Sequence, residues 1–208
     1  MGPWGSRGSM GEKKKAGYEY LLAYKLTVPI YDYTVTFCDR WINKRSRTHD
    51  QMVQAARSGM QNIPEGYSQE SLAGYIKLSG VSHGSLEELL KDYLSYARQH
   101  KIPLWEKERV VREIGELREL WGVLRRTPTL PDTPNFPKLP EDPEKAVNLM
   151  VTLIHQASYL VKKLIQSLEA KHEKEGGFSE KLLKRRLEYR RGRGSGGSMG
   201  PWGDRGKG

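Results

Sequence analysis

Apolar residues recur at alternating steps of three and four through most of residues 18–174, the spacing that places them along one face of an α-helix. The first such run, about Tyr18 to Asn43, carries two stripes. One comprises Leu21, Tyr24, Val28, Tyr31, Val35, Cys38 and Ile42; the other, offset by one residue, comprises Tyr20, Ala23, Thr27, Ile30, Thr34, Phe37 and Trp41. A bundle helix needs one apolar face, so the second stripe predicts burial against either an additional helix or another subunit. Pro29 is expected to bend this helix near its start.

A second helix is predicted to start at Thr48, with Gln51 completing a capping box, and to end at Pro64 and Gly66. Its seam, Met52, Ala56, Gly59 and Ile63 with Ala55 and Ser58 beside it, is built of small side chains that let a neighbouring helix approach closely. The third, about Gln69 to Gln99, aligns Leu72, Ile76, Ser79, His83, Leu86, Leu90, Tyr93 and Ala97. A further amphipathic stretch runs from Leu104 to Arg125, with Val110, Ile114, Leu117, Trp121 and Leu124 on one side. Six prolines then follow at intervals of three, from Pro128 to Pro143, which forbids continuous helix and favours an extended connection. The last long helix, about Pro143 to Lys174, aligns Val147, Met150, Ile154, Ala157, Val161, Leu164 and Leu168 before Gly176-Gly177 stops it.

Four long helices with such seams specify an all-α fold, an antiparallel up-down four-helix bundle with an extra helix and a proline-rich crossover before the last helix. The bundle is expected over 17–175, with the crossover at 128–143, a basic, Gly-rich N-terminal tail over 1–16 and a basic, Gly-rich C-terminal tail over 176–208. Met1-Gly2-Pro3-Trp4-Gly5 recurs as Met199-Gly200-Pro201-Trp202-Gly203, and both copies read as disordered low-complexity sequence outside the fold.

Charge adds to this picture mainly through its distribution. Of a net +10, residues 1–16 carry +3 and residues 176–208 carry +6, leaving the bundle near neutral. Cationic ends of this kind usually serve nucleic acid or acidic protein surfaces, a solubilising tail without a partner being the plainer alternative. A single cysteine, Cys38, excludes an intrachain disulfide and a Cys-based zinc site. Without a signal-peptide core or an apolar run of about 18 residues, a soluble, cytoplasmic chain with no membrane partner is expected.

Enzyme chemistry finds little support in the residues. The di-iron pattern of helical bundles needs two Glu-x-x-His pairs, and only Glu169-Ala170-Lys171-His172 is present, in a Lys/Glu-rich stretch suited to a solvated face. His83 and His155 lie on or near apolar seams with no nucleophile paired to them in sequence. Cys38 on a seam behaves as a small hydrophobe. Gly74, Gly80 and Gly84 fall inside a helical pattern, not after a strand, and so make no phosphate-cradling loop. No catalytic residue, metal ligand or cofactor is expected.

Two basic clusters are the candidate binding residues. Arg40, Lys44, Arg45, Arg47 and Arg57 gather around the turn between the first two helices, with Trp41 and His49 interleaved, a composition suited to phosphate contacts and base stacking. A solvated turn whose cations complement the helix dipole is the plainer alternative. The second cluster, Lys181, Lys184, Arg185, Arg186, Arg190, Arg191 and Arg193 with Leu182, Leu183, Leu187 and Tyr189, can form a short basic amphipathic helix on RNA, an acidic protein or an anionic membrane surface, and RNA is favoured.

Gln54-Ala55-Ala56-Arg57-Ser58-Gly59 with Asn62-Ile63-Pro64-Glu65-Gly66, followed by Gly84-Ser85-Leu86-Glu87-Glu88-Leu89, resembles the four-helix-bundle family first noticed in intervening sequences of bacterial large-subunit rRNA genes. Asn148-Leu149-Met150 to Leu168-Glu169 and Glu175-Gly176-Gly177-Phe178 look like the C-terminal suffix of a longer branch of that family. The proline-rich insert and the repeated ends lie outside the pattern. The resemblance implies an antiparallel bundle distantly related to diversity-generating retroelement accessory proteins, basic homopentameric barrels that bind a reverse transcriptase and its template RNA. It also implies a structural role for Asn62 and Glu65-Gly66, capping and reversing the chain. The expectation is thus a non-enzymatic homo-oligomer that binds RNA or a ribonucleoprotein, with a protein-protein adaptor lacking direct RNA contact as the alternative.

Overall fold

The structure, a computed structural model, describes residues 15–175 and 178–194. The repeated ends and the Gly176-Gly177 stop lie outside the described residues. A 3-10 turn, Gly17–Tyr20, leads into α1 (Leu22–Trp41), followed by α2 (Arg47–Tyr67), α3 (Leu72–Gln99), α4 (Lys107–Glu113), α5 (Gly115–Arg126), α6 (Pro143–Glu175) and α7 (Phe178–Gly194). All regular structure among the described residues is helical. α1 packs on α2, α2 on α3, α3 on α6 and α6 on α1, so four long helices close a ring around the core, while α4 and α5 lie against α6 and α1.

The helix starts follow local hydrogen-bonding chemistry. Ser46, not Thr48, caps α2: its hydroxyl accepts the His49 backbone N–H at 3.2 Å, which places the start two residues earlier than expected. Ser71 caps α3 by accepting the Gly74 N–H at 3.1 Å. At α6, Asp142 accepts the Glu144 N–H at 3.1 Å, while Pro143, which has no N–H to satisfy, takes the first helical position. Pro64 does not stop α2; the helix continues to Tyr67, and the backbone N–H and hydroxyl of Ser68 both donate to the Pro64 carbonyl. α3 ends with Lys101 at φ 55° and the Ile102 N–H donating to the Ala97 carbonyl at 2.9 Å, the left-handed terminus most often given to glycine.

The small-residue seam of α2 does bring α3 close. A Cβ at Gly59 would lie 3.0 Å from Leu86 Cδ2, and the Ser82 hydroxyl reaches the Gly59 carbonyl at 2.5 Å. Ser58 and Ser85 share a hydrogen bond of 2.8 Å, and the Asn62 amide donates back to the Ser58 carbonyl at 2.8 Å. The residues that carry the family resemblance therefore make the α2–α3 contact. Asn62 sits inside α2, one turn after Ser58, and not in the reversal; Gly66 does lie near it, where a Cβ would come 2.7 Å from the Tyr75 ring.

On α1 the offset stripe is the core stripe. Ala23, Thr27, Ile30, Thr34 and Phe37 are buried with Leu26 and Tyr33, whereas Tyr24, Val28, Tyr31 and Val35 are half-buried. Phe37 packs its ring 4.8 Å from Tyr93 and 5.0 Å from Tyr96. Pro29 sits within continuous helix.

The other side of α1 is covered by the proline-rich segment, which runs along it as a strap. An extended segment without secondary structure leaves its carbonyls unpaired, and α1 supplies the donors. Lys25 Nζ donates to the carbonyls of Leu124 (2.6 Å) and Thr127 (2.8 Å), the Tyr33 hydroxyl to Pro137 (2.6 Å), and Arg40 Nη1 to Leu139 (3.2 Å) and Pro140 (3.3 Å). Tyr24 and Val28 share a small cavity with Leu130 and Pro134. Of the first stripe, Tyr24 and Val28 thus meet the strap, while Tyr31 and Val35 stay half-buried.

Residues 104–126 form two helices instead of one. The break falls at Ile114, which is fully buried with an extended backbone, φ −104° and ψ 95°. It turns Val110 on α4 and Leu117, Leu120 and Leu124 on α5 into the core.

Candidate nucleic-acid interface

The α1–α2 turn separates its cations. Arg40 lies over the Trp41 ring at 5.7 Å and is tied to the strap carbonyls, so its guanidinium is engaged in holding the fold. Lys44 pairs with Asp39 at 2.9 Å. That pairing, reinforced by His49 at 3.6 Å, holds the Asp39 carboxyl below the usual carboxylate range. His49 is also 3.6 Å from Asp50, between two acids and not toward solvent phosphate. Arg45, Arg47 and Arg57 are exposed and form no ion pair with a described residue. Arg57 is ten residues along α2 from Arg47, roughly 15 Å away along the axis. The turn therefore presents Arg45 and Arg47 together, Arg57 apart, and Arg40 and Lys44 already engaged. Asp39, which the charge pattern did not single out, sets that division; an acid five residues before Lys44 was its only trace in the sequence.

α7 is different in kind. Every side chain from Leu182 to Arg191 is exposed. Lys184, Arg185, Arg186, Arg190 and Arg191 all lie on this one helix, and at about 100° per residue they point to every side of it. Leu182, Leu183, Leu187 and Tyr189 are interleaved among them, with Tyr189 67% exposed. The helix that the sequence allowed is present, but its apolar residues form no single face, so it is a cationic rod and not an amphipathic one. That geometry favours a ligand whose charge surrounds or lines the helix, as in a nucleic-acid groove, over a flat membrane surface.

Elsewhere, His155 is exposed and His83 half-buried, and neither hydrogen-bonds to a described side chain. Glu169 is exposed and His172 half-buried near the end of α6. Among the described residues no group of three or more His, Cys, Asp or Glu stands together as a metal set, and no helix is long and apolar enough to cross a membrane. Cys38 is buried, and burial pushes its thiol up to about 12, which leaves it protonated and unreactive at neutral pH. Compared with known proteins, the chain matches no family model, no curated protein and no solved structure.

Proposed function

We propose that this chain is a non-enzymatic, cytoplasmic RNA- or ribonucleoprotein-binding accessory protein, whose ring of four helices is an antiparallel up-down bundle that carries a cationic RNA-binding helix. The observation behind this reading is α7, whose side chains from Leu182 to Arg191 are all exposed, with five Lys and Arg among them distributed around the helix. Such a rod neutralises phosphates without needing one fixed face, and Arg offers planar bidentate contacts to them. Arg45, Arg47 and Arg57 supply secondary contacts, while Arg40 and Lys44 act through the fold.

Membership of the rRNA intervening-sequence family, a homo-oligomer with five copies, and a reverse transcriptase with its template RNA as partner are part of this proposal and rest on the sequence resemblance alone. The single experiment is purification without nuclease, with mass by light scattering and the 260/280 absorbance ratio recorded together. A multiple of 23.8 kDa carrying RNA supports the proposal; a monomer free of nucleic acid moves the assignment to a protein adaptor. That second reading is favoured by one observation, the exposed Leu182, Leu183 and Leu187 among the cations of α7.

A further inference from the structure

A groove of about 660 Å³ opens between α3, α5 and α6. Leu94, Val151 and Leu160 give it an aliphatic part and Trp105, Trp121 and Tyr159 an aromatic one, while Thr152, His155 and Gln156 add polar side chains. Both indoles are held in place: Trp105 Nε1 donates to Glu144 Oε1 at 2.6 Å and its backbone N–H to Asn148 Oδ1 at 2.7 Å, while Trp121 Nε1 donates to Gln156 Oε1 at 3.1 Å. Their polar edges are therefore satisfied inside the protein. At the mouth, Leu104 and Tyr159 remain 53% and 60% exposed.

The charge around this groove is mainly positive, its two nearby acids, Glu113 and Glu144, being paired with Arg109. Each of its three aromatic rings carries a cation four residues on: Arg109 lies 3.9 Å from the Trp105 ring centre, Arg125 5.3 Å from Trp121 and Lys163 5.6 Å from Tyr159. No residue lining the groove is acidic, and Lys107 lines it directly. Arg109 is also paired with Glu113 at 3.2 Å, which leaves Lys107, Arg125 and Lys163 without an ion pair to any described residue. From Val151 to Tyr159 the α6 wall covers nine residues, a rise of roughly 12 Å, which matches the apolar side of about two helical turns.

We propose that this groove docks an amphipathic helix of a partner protein, one with apolar side chains at i, i+3 or i+4, and i+7 and with Asp or Glu flanking them. The aliphatic and aromatic walls take apolar side-chain anchors spaced along one helix face, and the cations around them suit acidic residues beside those anchors. Held indoles reduce the ordering required on binding, and the rim cations select acidic flanks. The surface is separate from α7, so it stands or falls independently of RNA binding.

The test uses the full chain and a display library of randomised helical peptides. Enriched peptides should carry the apolar triplet with intervening acids. A fluorescein-labelled copy of one should lose affinity by about tenfold or more on Leu104→Glu or Tyr159→Glu, with RNA binding unchanged. Because both positions are more than half exposed, the melting curve should stay intact. Lys107→Glu with Lys163→Glu should weaken that peptide and strengthen its counterpart in which Lys replaces the acids. The proposal is overturned if no acidic apolar peptide is enriched or if both single substitutions leave binding intact. It is equally overturned if oligouridylate competes for the groove, or if Leu104→Glu changes the subunit number.

Discussion

The ammonium of Lys25 donates to the carbonyl oxygen of Leu124 at 2.6 Å, joining α1 to the end of α5 across 99 residues of sequence. The same nitrogen reaches Thr127, so one side chain satisfies two carbonyls where α5 gives way to the strap, at the end of the helix where a cation is favoured by the dipole. Burial lowers the Lys25 pKa. Lys25→Met keeps the aliphatic stem and removes the donor. It should destabilise the fold by about 1–3 kcal/mol, and Tyr33→Phe, which frees the Pro137 carbonyl, by about 1 kcal/mol. Urea unfolding checks the magnitudes, and faster hydrogen exchange confined to the strap and α5 checks the place.

Close approach of α2 and α3 makes Gly59 intolerant of bulk. Gly59→Val sets branched carbons against Leu86 where even a Cβ lies at 3.0 Å, and overpacking of this kind costs about 1–3 kcal/mol. Gly84, on the outer side of α3 with nothing within 4 Å of an added Cβ, should instead gain on substitution to Ala, by about 0.5–1 kcal/mol. Thermal melting of the two variants should move in opposite directions.

Asp92 gives a pH-dependent contrast. Burial raises its carboxyl pKa above 3.8, with Glu88 adding to the effect. The unfolded chain releases this proton first, so the group's contribution to stability falls as pH rises from the unfolded value through the folded one. Asp92→Asn should therefore be more stable than the parent at neutral pH, with the difference vanishing below the carboxylate range. A series of melting curves from acid to neutral pH reads this directly.

Cys38 should resist iodoacetamide at neutral pH in the native protein and react promptly in urea, because burial both shields the thiol and pushes its pKa up to about 12. Modification in native buffer, followed by intact mass, checks the buried position of α1.

The seam of α6 was legible in the chain because one face meets one core: Val147, Met150, Ile154, Ala157 and Val161 are all buried as their spacing requires. The two stripes of α1 were legible as stripes but not by rank, since apolarity does not say which of two adjacent faces is the more deeply buried. Arg40 reads as a phosphate ligand from composition alone and becomes a carbonyl donor only once the strap is beside it, a relationship spanning about a hundred residues. Ser46 outcompeted Thr48 as a cap because the tight turn after Asn43 brings its hydroxyl to the His49 N–H. The groove needed three helices to meet, although one local sign was present: an aromatic residue followed four positions later by a cation at 105 and 109, 121 and 125, and 159 and 163.

The most direct measurement of RNA recognition by α7 is a filter-binding titration of structured RNA across a series of salt concentrations, comparing the parent with Arg185, Arg186, Arg190 and Arg191 changed together to Gln. RNA recognition by α7 requires tight binding at low salt by the parent, weaker binding by the variant, and a log–log salt slope flattened by about 0.7–0.9 for each phosphate that the variant no longer neutralises. Absence of binding at low salt, or identical affinity and slope in the two proteins, would contradict it.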